Sequence, residues 1–195
     1  MNLGSVLRFA WAGIIKHPQT GGVIPSQRFL IEKMIEPVPR DYTGLVIELG
    51  AGTGALTTRL AARCPRARIV ACELNPELAR DAQDSLARAG LGRNVEICAV
   101  SAQELLGDRL ENRAVPPKFI ISGIPLGNLG KRRADETIAL VRRALAPDGM
   151  YIQFQHSLLD RKRIQAHFAR LRIEPVLLNF PPAVVYYATG RPPRA

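Results

Sequence analysis

The sequence predicts an α/β fold built on a mostly parallel, doubly wound sheet, and three observations carry that expectation. Short β-branched apolar runs alternate with longer stretches of helical period along most of the chain. The first run, Leu45-Val46-Ile47, leads into a glycine-rich turn ahead of a helical pattern, the layout of a ligand-binding strand end. The last two runs are joined by only Phe180-Pro181-Pro182-Ala183. That link is too short for a parallel crossover, so they pair as an antiparallel hairpin. A length of 195 residues fits one domain with a full core.

The elements follow in order. After the glycine turn, Ala55, Leu56, Leu60 and Ala61 mark a helix, and Ile69 to Cys72 reads as a second strand. Asn75 to Ala89 is helical, with Asn75 as cap, Pro76 in the first turn and Gly90 just past the end. Asn94 to Val100 is a strand, Ala102 to Arg109 a short helix and Lys118 to Ser122 a fourth strand. Lys131 to Leu145 is a helix stopped by Pro147-Asp148-Gly149, and Met150 to Gln155 is the fifth strand. Asp160 to Leu171 is helical, and Arg172 to Asn179 and Val184 to Thr189 complete a seven-stranded sheet.

The turn itself carries chemistry. Val46-Ile47-Glu48-Leu49-Gly50-Ala51-Gly52-Thr53-Gly54 sets an acid before three alternating glycines, where a ligand approaches bare backbone. A dinucleotide turn, G-x-G-x-x-G, aims a helix N-terminus at a pyrophosphate that Glu48 would repel. The spacing E-x-G-x-G-x-G suits a ligand with a cation and no phosphate. S-adenosyl-L-methionine has that profile: an α-ammonium, a sulfonium and a ribose. Glu73, in Cys72-Glu73-Leu74-Asn75-Pro76, closes the second strand about twenty residues later, where an acid accepts ribose hydroxyls. A different nucleotide on the same fold is the alternative left open.

The formal charge of +10 asks for an anionic partner, nucleic acid or an anionic membrane surface; a solvated basic surface is the plain alternative. No stretch approaches the roughly eighteen apolar residues of a spanning helix. Met1 to Lys16 has no basic leader, and the three cysteines have no metal spacing, so a cytoplasmic protein without a metal is expected. Residues 1–40 read as a helical extension to a domain over 41–195. Leu3, Val6, Leu7, Ala10, Trp11, Ile14 and Ile15 share one helical side and Arg8 and Lys16 the other, with a bend at Pro18. Such a helix docks on the protein's own core or lies on a bilayer.

Glu48, the glycines and Glu73 together resemble the class I S-adenosylmethionine-dependent methyltransferases, whose Rossmann-like sheet ends in one antiparallel hairpin. Three segments narrow the likeness: Thr20 to Leu30, Ser122-Gly123-Ile124-Pro125-Leu126-Gly127-Asn128, and Asn179-Phe180-Pro181-Pro182-Ala183 running on to Tyr186. With the cofactor motif they resemble the bacterial phospholipid N-methyltransferases, which carry phosphatidylethanolamine stepwise towards phosphatidylcholine. The likeness runs from about Trp11 to Thr189, and ornithine-lipid N-methyltransferases share much of it. It implies that Glu48, Gly50, Ala51, Gly52, Gly54, Glu73, Leu74, Asn75, Ser101, Ala102 and Ser122 hold the cofactor. It further implies that Ser122, Gly123 and Ile124 meet the methyl acceptor, and that Trp11, Arg28, Pro125, Asn128 and Tyr186 bind substrate. A monomer on the inner face of the membrane is the implied setting, with the N-terminal helix as anchor and lid.

One departure stands out. The family closes its third strand with an aspartate for the adenine amine, whereas this chain reads Ala99-Val100-Ser101-Ala102-Gln103, leaving Ser101 or Gln103 as acceptor. An amine substrate must shed a proton, and His156, just past the fifth strand, is the best-placed catalytic candidate; His17 is another. Backbone carbonyls around Ser122 to Ile124, or water, are the alternative. Tyr186, Tyr187 and Phe154 are candidates for cation–π contacts of roughly 0.5–2 kcal/mol, or for packing within the sheet. The rival reading is an rRNA adenine N6-methyltransferase. Its amide and stacking aromatic after strand four are replaced here by Ser122 and Leu126, so nucleic acid is disfavoured. A non-catalytic binding module is the third possibility.

Overall fold

The structure, a computed structural model, describes residues 27–190. The expected helix over Leu3 to Ile15, with Trp11, and the bend at His17-Pro18 lie outside the described residues. The described chain begins with α1 (Gln27–Ile35) and β1 (Leu45–Leu49), then α2 (Ala55–Arg63), β2 (Arg68–Cys72), α3 (Pro76–Arg88) and β3 (Val95–Cys98). There follow α4 (Ala102–Glu111), β4 (Phe119–Ser122), α5 (Lys131–Ala144), β5 (Met150–Gln155), α6 (Arg161–His167), β6 (Arg170–Val176) and β7 (Ala183–Thr189).

The seven strands form one sheet in the order β3-β2-β1-β4-β5-β7-β6. Neighbours from β3 to β5 pair in parallel, and β7 runs antiparallel to both β5 and β6. It follows that β6 points the same way as β1 to β5, so six strands end along one edge. This is the Rossmann-like class I layout expected.

Because successive strand residues face opposite ways, β1 sends Val46 into one core and Ile47 and Leu49 into the other. The first core packs the sheet under α1 and α2, with Leu30, Met34 and Leu60 against Ile69, Ile121 and Ile152. The second packs it under α4, α5 and α6, with Leu106, Ile138 and Ile164 against Val70, Ile120 and Tyr151. A strand covered on both faces has no solvated side, which is why β1 reads as a nearly unbroken apolar run.

Three expectations change. The helix expected to reach Leu171 stops at His167. Phe168 is already extended (φ −134, ψ 143), buried, and stacked on Tyr151 with ring centroids 5.8 Å apart. Leu171 belongs to β6, where Arg170 and Arg172 point outwards, a pattern of two that mimicked the end of a helical one. At the other end β6 stops at Val176, so its link to β7 is 177–182, longer than expected. Pro175 is tolerated in β6 because that strand is a sheet edge. Finally, the described part of the expected 1–40 extension is core. Helix α1 buries Leu30, Ile31, Met34 and Ile35, and Lys33 O accepts the Tyr187 hydroxyl at 2.8 Å.

Candidate active site

The loop after β1 is held by the strand beside it. The N–H groups of Gly50 and Ala51 both donate to Cys72 O at 2.9 Å, so the loop folds over the end of β2. Gly52 has φ 55, and a Cβ there would meet nothing within 4 Å: the bare backbone borders open space. Gly54 has a different duty. It caps α2 with φ 77, and a Cβ would stand 2.9 Å from the Ala82 Cβ, so it brings α2 close to α3.

A cavity of about 1140 Å³ opens at the ends of the parallel strands. Its walls include Glu48, Gly50, Ala51, Gly52, Glu73, Leu74, Asn75, Ser101, Ala102, Gly123, Ile124, Pro125 and His156, as the sequence indicated.

Glu48 is the strongest electrostatic feature of this cavity. It is 2% exposed, and its Oε2 has no hydrogen-bond partner. Burial pushes its pKa up to about 8, the nearby Thr57 hydroxyl working against the rise and the charge of Glu73 adding to it. A buried, unmet acid in a cavity wall is what a cationic ligand group satisfies. Glu73 takes the Gly52 N–H at 2.8 Å on one oxygen and the Asn75 N–H at 3.0 Å on the other. The carboxylate thereby clamps the loops after β1 and β2 together, and each oxygen retains a lone pair for a hydroxyl. Asn75 also caps α3, accepting the Glu77 and Leu78 N–H groups. Cys72 lines the same wall, but burial drives its thiol up to about 12, which leaves it no nucleophile.

The residues present fit S-adenosyl-L-methionine. Glu48 offers the counter-charge, Gly52 the bare approach and Glu73 the ribose acceptors. In the sheet β3 lies beyond β2, and the wall continues there into Val100 to Gln103, the residues that would hold a base attached to that ribose. Ser101 is committed to the helix there: its hydroxyl accepts the Glu104 N–H, and Glu104 reaches back to the Ser101 N–H, a capping box. Gln103 is held differently. The Thr137 hydroxyl donates to Arg133 O at 2.7 Å, so it is left to accept the Gln103 Nε2 at 2.7 Å. That fixes the amide orientation and leaves Oε1 as a spare acceptor.

The opposite side of the cavity is built from β4, β5 and the β6–β7 link. Gln153 and Gln155 both donate from Nε2 to Ile124 O, at 2.9 and 3.3 Å. The carbonyl expected to meet an amine is therefore already taken. His156 donates from Nδ1 to Pro182 O at 3.0 Å, because a carbonyl only accepts. Its Nε2 is then the basic nitrogen of the neutral ring. Phe154 lines the cavity beside it, edge to face with His156 at 5.6 Å.

Several expected contacts are not brought to the cavity. Ser122 is fully buried behind it, its Oγ accepting the Ile124 N–H at 3.3 Å: it shapes the loop. Tyr186 is fully buried too, its hydroxyl spent on Ser157 O, and Tyr187 points to the other face of the sheet. Asn128 stands exposed on a short turn at Leu126–Asn128. Arg28 is exposed on α1 with its guanidinium over Phe29. Gly54 serves packing, and Trp11 is outside the described residues. Unanticipated wall residues are Ile31, Met34 and Leu129, while Gln27 and Leu30 come from the Thr20–Leu30 segment and Asn179 and Phe180 from the hairpin motif. No cluster of metal ligands occurs among the described residues.

Comparison with known proteins agrees with this geometry. The family described as Methyltransferase domain matches residues 46–149, more than half of the chain. The ornithine lipid N-methyltransferase of Singulisphaera acidiphila is 26% identical over 170 residues, covering 85% of this chain and 86% of that protein. A probable cobalt-precorrin-6B C(15)-methyltransferase (decarboxylating) of Methanothermobacter thermautotrophicus is 36% identical over 93 residues. That match spans 47% of this chain and 46% of the other. Among solved structures, a SAM-dependent methyltransferase from Agrobacterium tumefaciens superposes with a TM-score of 0.68 at 15% identity, over 87% of this chain and 64% of that one. At such identity the likeness speaks for the fold. Family match, fold and a cavity built for a cationic nucleoside converge: the chain belongs to the Methyltransferase domain family and is an S-adenosylmethionine-dependent methyltransferase.

Proposed function

We propose that the protein methylates the amine of a lipid headgroup at an anionic membrane surface. The observation that carries this reading is the make-up of the acceptor side. Leu30, Ile31, Met34, Leu129, Phe154 and Phe180 line the same cavity as His156 and Asn179, an apolar share of wall beside one imidazole. A flat base would need a stacking partner after β4, but Leu126 is 1% exposed and Ser122 is buried, so neither grips one. The likeness over most of the chain to an ornithine lipid N-methyltransferase supports the same choice.

The bound cofactor supplies a sulfonium methyl already activated for displacement, so the protein's tasks are placement and proton removal. Glu48, Gly52 and Glu73 hold one partner and Gln103 Oε1 accepts the adenine amine. His156 Nε2 takes the proton that an ammonium headgroup must lose before its nitrogen has a lone pair. The Pro182 carbonyl keeps that ring in the required tautomer.

The exposed surface supports that setting. Leu158 and Leu159 after β5, and Leu177, Leu178 and Phe180 after β6, are exposed on the sheet edge where the cavity opens. With a net charge of +10, they suit a surface of anionic lipid. The test is incubation with labelled S-adenosylmethionine, using vesicles of phosphatidylethanolamine, vesicles of ornithine lipid, and an adenine-containing rRNA fragment as separate arms. Label is expected in at least one lipid. Label in RNA with none in either lipid reverses the assignment.

A further inference from the structure

We propose that Asn179 is the hydrogen-bond acceptor for the substrate amine, and that it ranks acceptors by the N–H bonds they still carry. The inference rests on the reading above that the methyl acceptor is an amine.

Asn179 lies in the cavity wall and is 4% exposed. Its Nδ2 donates to Pro181 O at 2.6 Å. A carbonyl cannot donate in return, so the amide cannot flip without losing that bond, and Oδ1 is the atom left over. That Oδ1 is buried without a hydrogen-bond partner. Buried acceptors in native proteins are nearly always paired, and one left unpaired beside a cavity calls for a donor from the ligand.

The neighbouring carbonyls each already have at least one donor. Ile124 O receives two glutamine amides, Pro182 O receives His156, and Ser157 O receives Tyr186. For an amine entering between Ile124 and Phe154, Asn179 Oδ1 is the side-chain acceptor on this link that has no donor of its own. The register explains why it stands there. Gln155 pairs with Val184 and Val176 with Ala183, so the link 177–182 arches over the end of β5, beside His156.

The consequence is a count. A neutral primary amine has two N–H bonds and one lone pair. One N–H is held by Asn179 while the lone pair remains free. In each round a new N–C bond would form as the sulfonium S–C bond breaks and a neutral thioether leaves, and one proton goes to His156 and on to water. The secondary amine keeps one N–H for Asn179, and the tertiary amine has none. The first two acceptors are held through this bond, and the third must rely on Phe154 and the apolar wall.

The experiment compares the full-length protein with Asn179→Leu, which has similar size and no acceptor, and Asn179→Asp, which keeps one. Acceptors are phosphatidylethanolamine and ornithine lipid, each with its N-methyl and N,N-dimethyl derivatives, in mixed vesicles, with kcat/KM measured for each. The parent is expected to favour the primary and monomethyl lipids over the dimethyl one. Asn179→Leu should lose about tenfold on the first two, the scale of a single hydrogen bond, and little on the third. Binding of S-adenosylhomocysteine should be unchanged, and Asn179→Asp should keep the parent's ranking. An equal loss on all three acceptors would mean a structural role and overturn the proposal. If Asn179→Leu does not fold, the parent decides: equal kcat/KM for primary and dimethyl lipid overturns it. A parent that methylates no lipid amine fails at the earlier step and sinks the lipid reading together with this one.

Discussion

Glu48 stands where a carboxylate is hard to ionise, and the sign of the effect is fixed by the shift. Its pKa in the folded chain is about 8, against an ordinary 4.5, with burial as the main cause. Between these values the folded protein keeps a proton that the unfolded chain has shed. Stability is therefore greatest below about pH 4.5 for this group and declines as pH rises towards 8. Urea unfolding of Glu48→Gln should show that decline flattened, while its affinity for S-adenosylmethionine falls. Since a cation at Glu48 favours the ionised form, binding near neutral pH should release a proton. Calorimetry in buffers of different ionisation enthalpy measures it directly. Gln103 gives a second test. Gln103→Ala should weaken S-adenosylhomocysteine binding by about 1 kcal/mol, a typical single hydrogen bond, and leave affinity for the 6-keto (inosine) analogue unchanged. Equal losses for both ligands would place the adenine amine elsewhere. Glu48, Gly50, Ala51, Gly52, Glu73, Leu74 and Asn75 were legible in the sequence because each sits in one continuous strand-turn segment. Met34 was not, and Asn179 and Leu30 stood in quoted segments without a role, since they reach the cavity only through the pairing of β5 with β7 and the docking of α1. Ser122 and Tyr186, assigned to the site by the family resemblance, are instead buried, with their hydroxyls spent on the Ile124 N–H and Ser157 O.

Elements carry their own predictions. The approach of α2 to α3 depends on Gly54, where a side chain meets Ala82 and a left-handed backbone together. Gly54→Val should destabilise the fold by about 1–3 kcal/mol, read as a lower urea midpoint with an unchanged slope. Gly52→Ala has the same kind of backbone cost without the collision, so it should lose less stability. Its main deficit should be in cofactor binding. The order of elements was legible because periods of 2 and 3.6 differ plainly over long segments. The exchange of helix for strand at 168–171 was missed because Ile164, Phe168 and Leu171 continue the spacing of a helix face. Tertiary contact settled it, through Phe168 stacking on Tyr151.

For the whole molecule, the proposal concerns how the sheet meets its substrate. Six strands end at the cavity edge, and the exposed leucines after β5 and β6 share that edge. Sedimentation with vesicles should rise with anionic lipid and fall with salt, because the attraction is screened beyond roughly 8–10 Å at physiological ionic strength. Replacing Leu159 and Leu178 with serine should weaken vesicle binding and spare cofactor binding. Undiminished binding would move the contact away from this edge. None of the helices among the described residues is long and apolar enough to cross a membrane.

The common direction of those strands also provides an engineering handle. The opposite rim of the sheet, where β2 and β4 begin, carries exposed Arg66 and Val115, far along the strands from both lipid and cofactor. A fluorophore or affinity tag placed near Val115 should leave turnover intact while reporting which way up the molecule stands. A quencher confined to the bilayer should dim a probe at Leu159 and spare one at Val115.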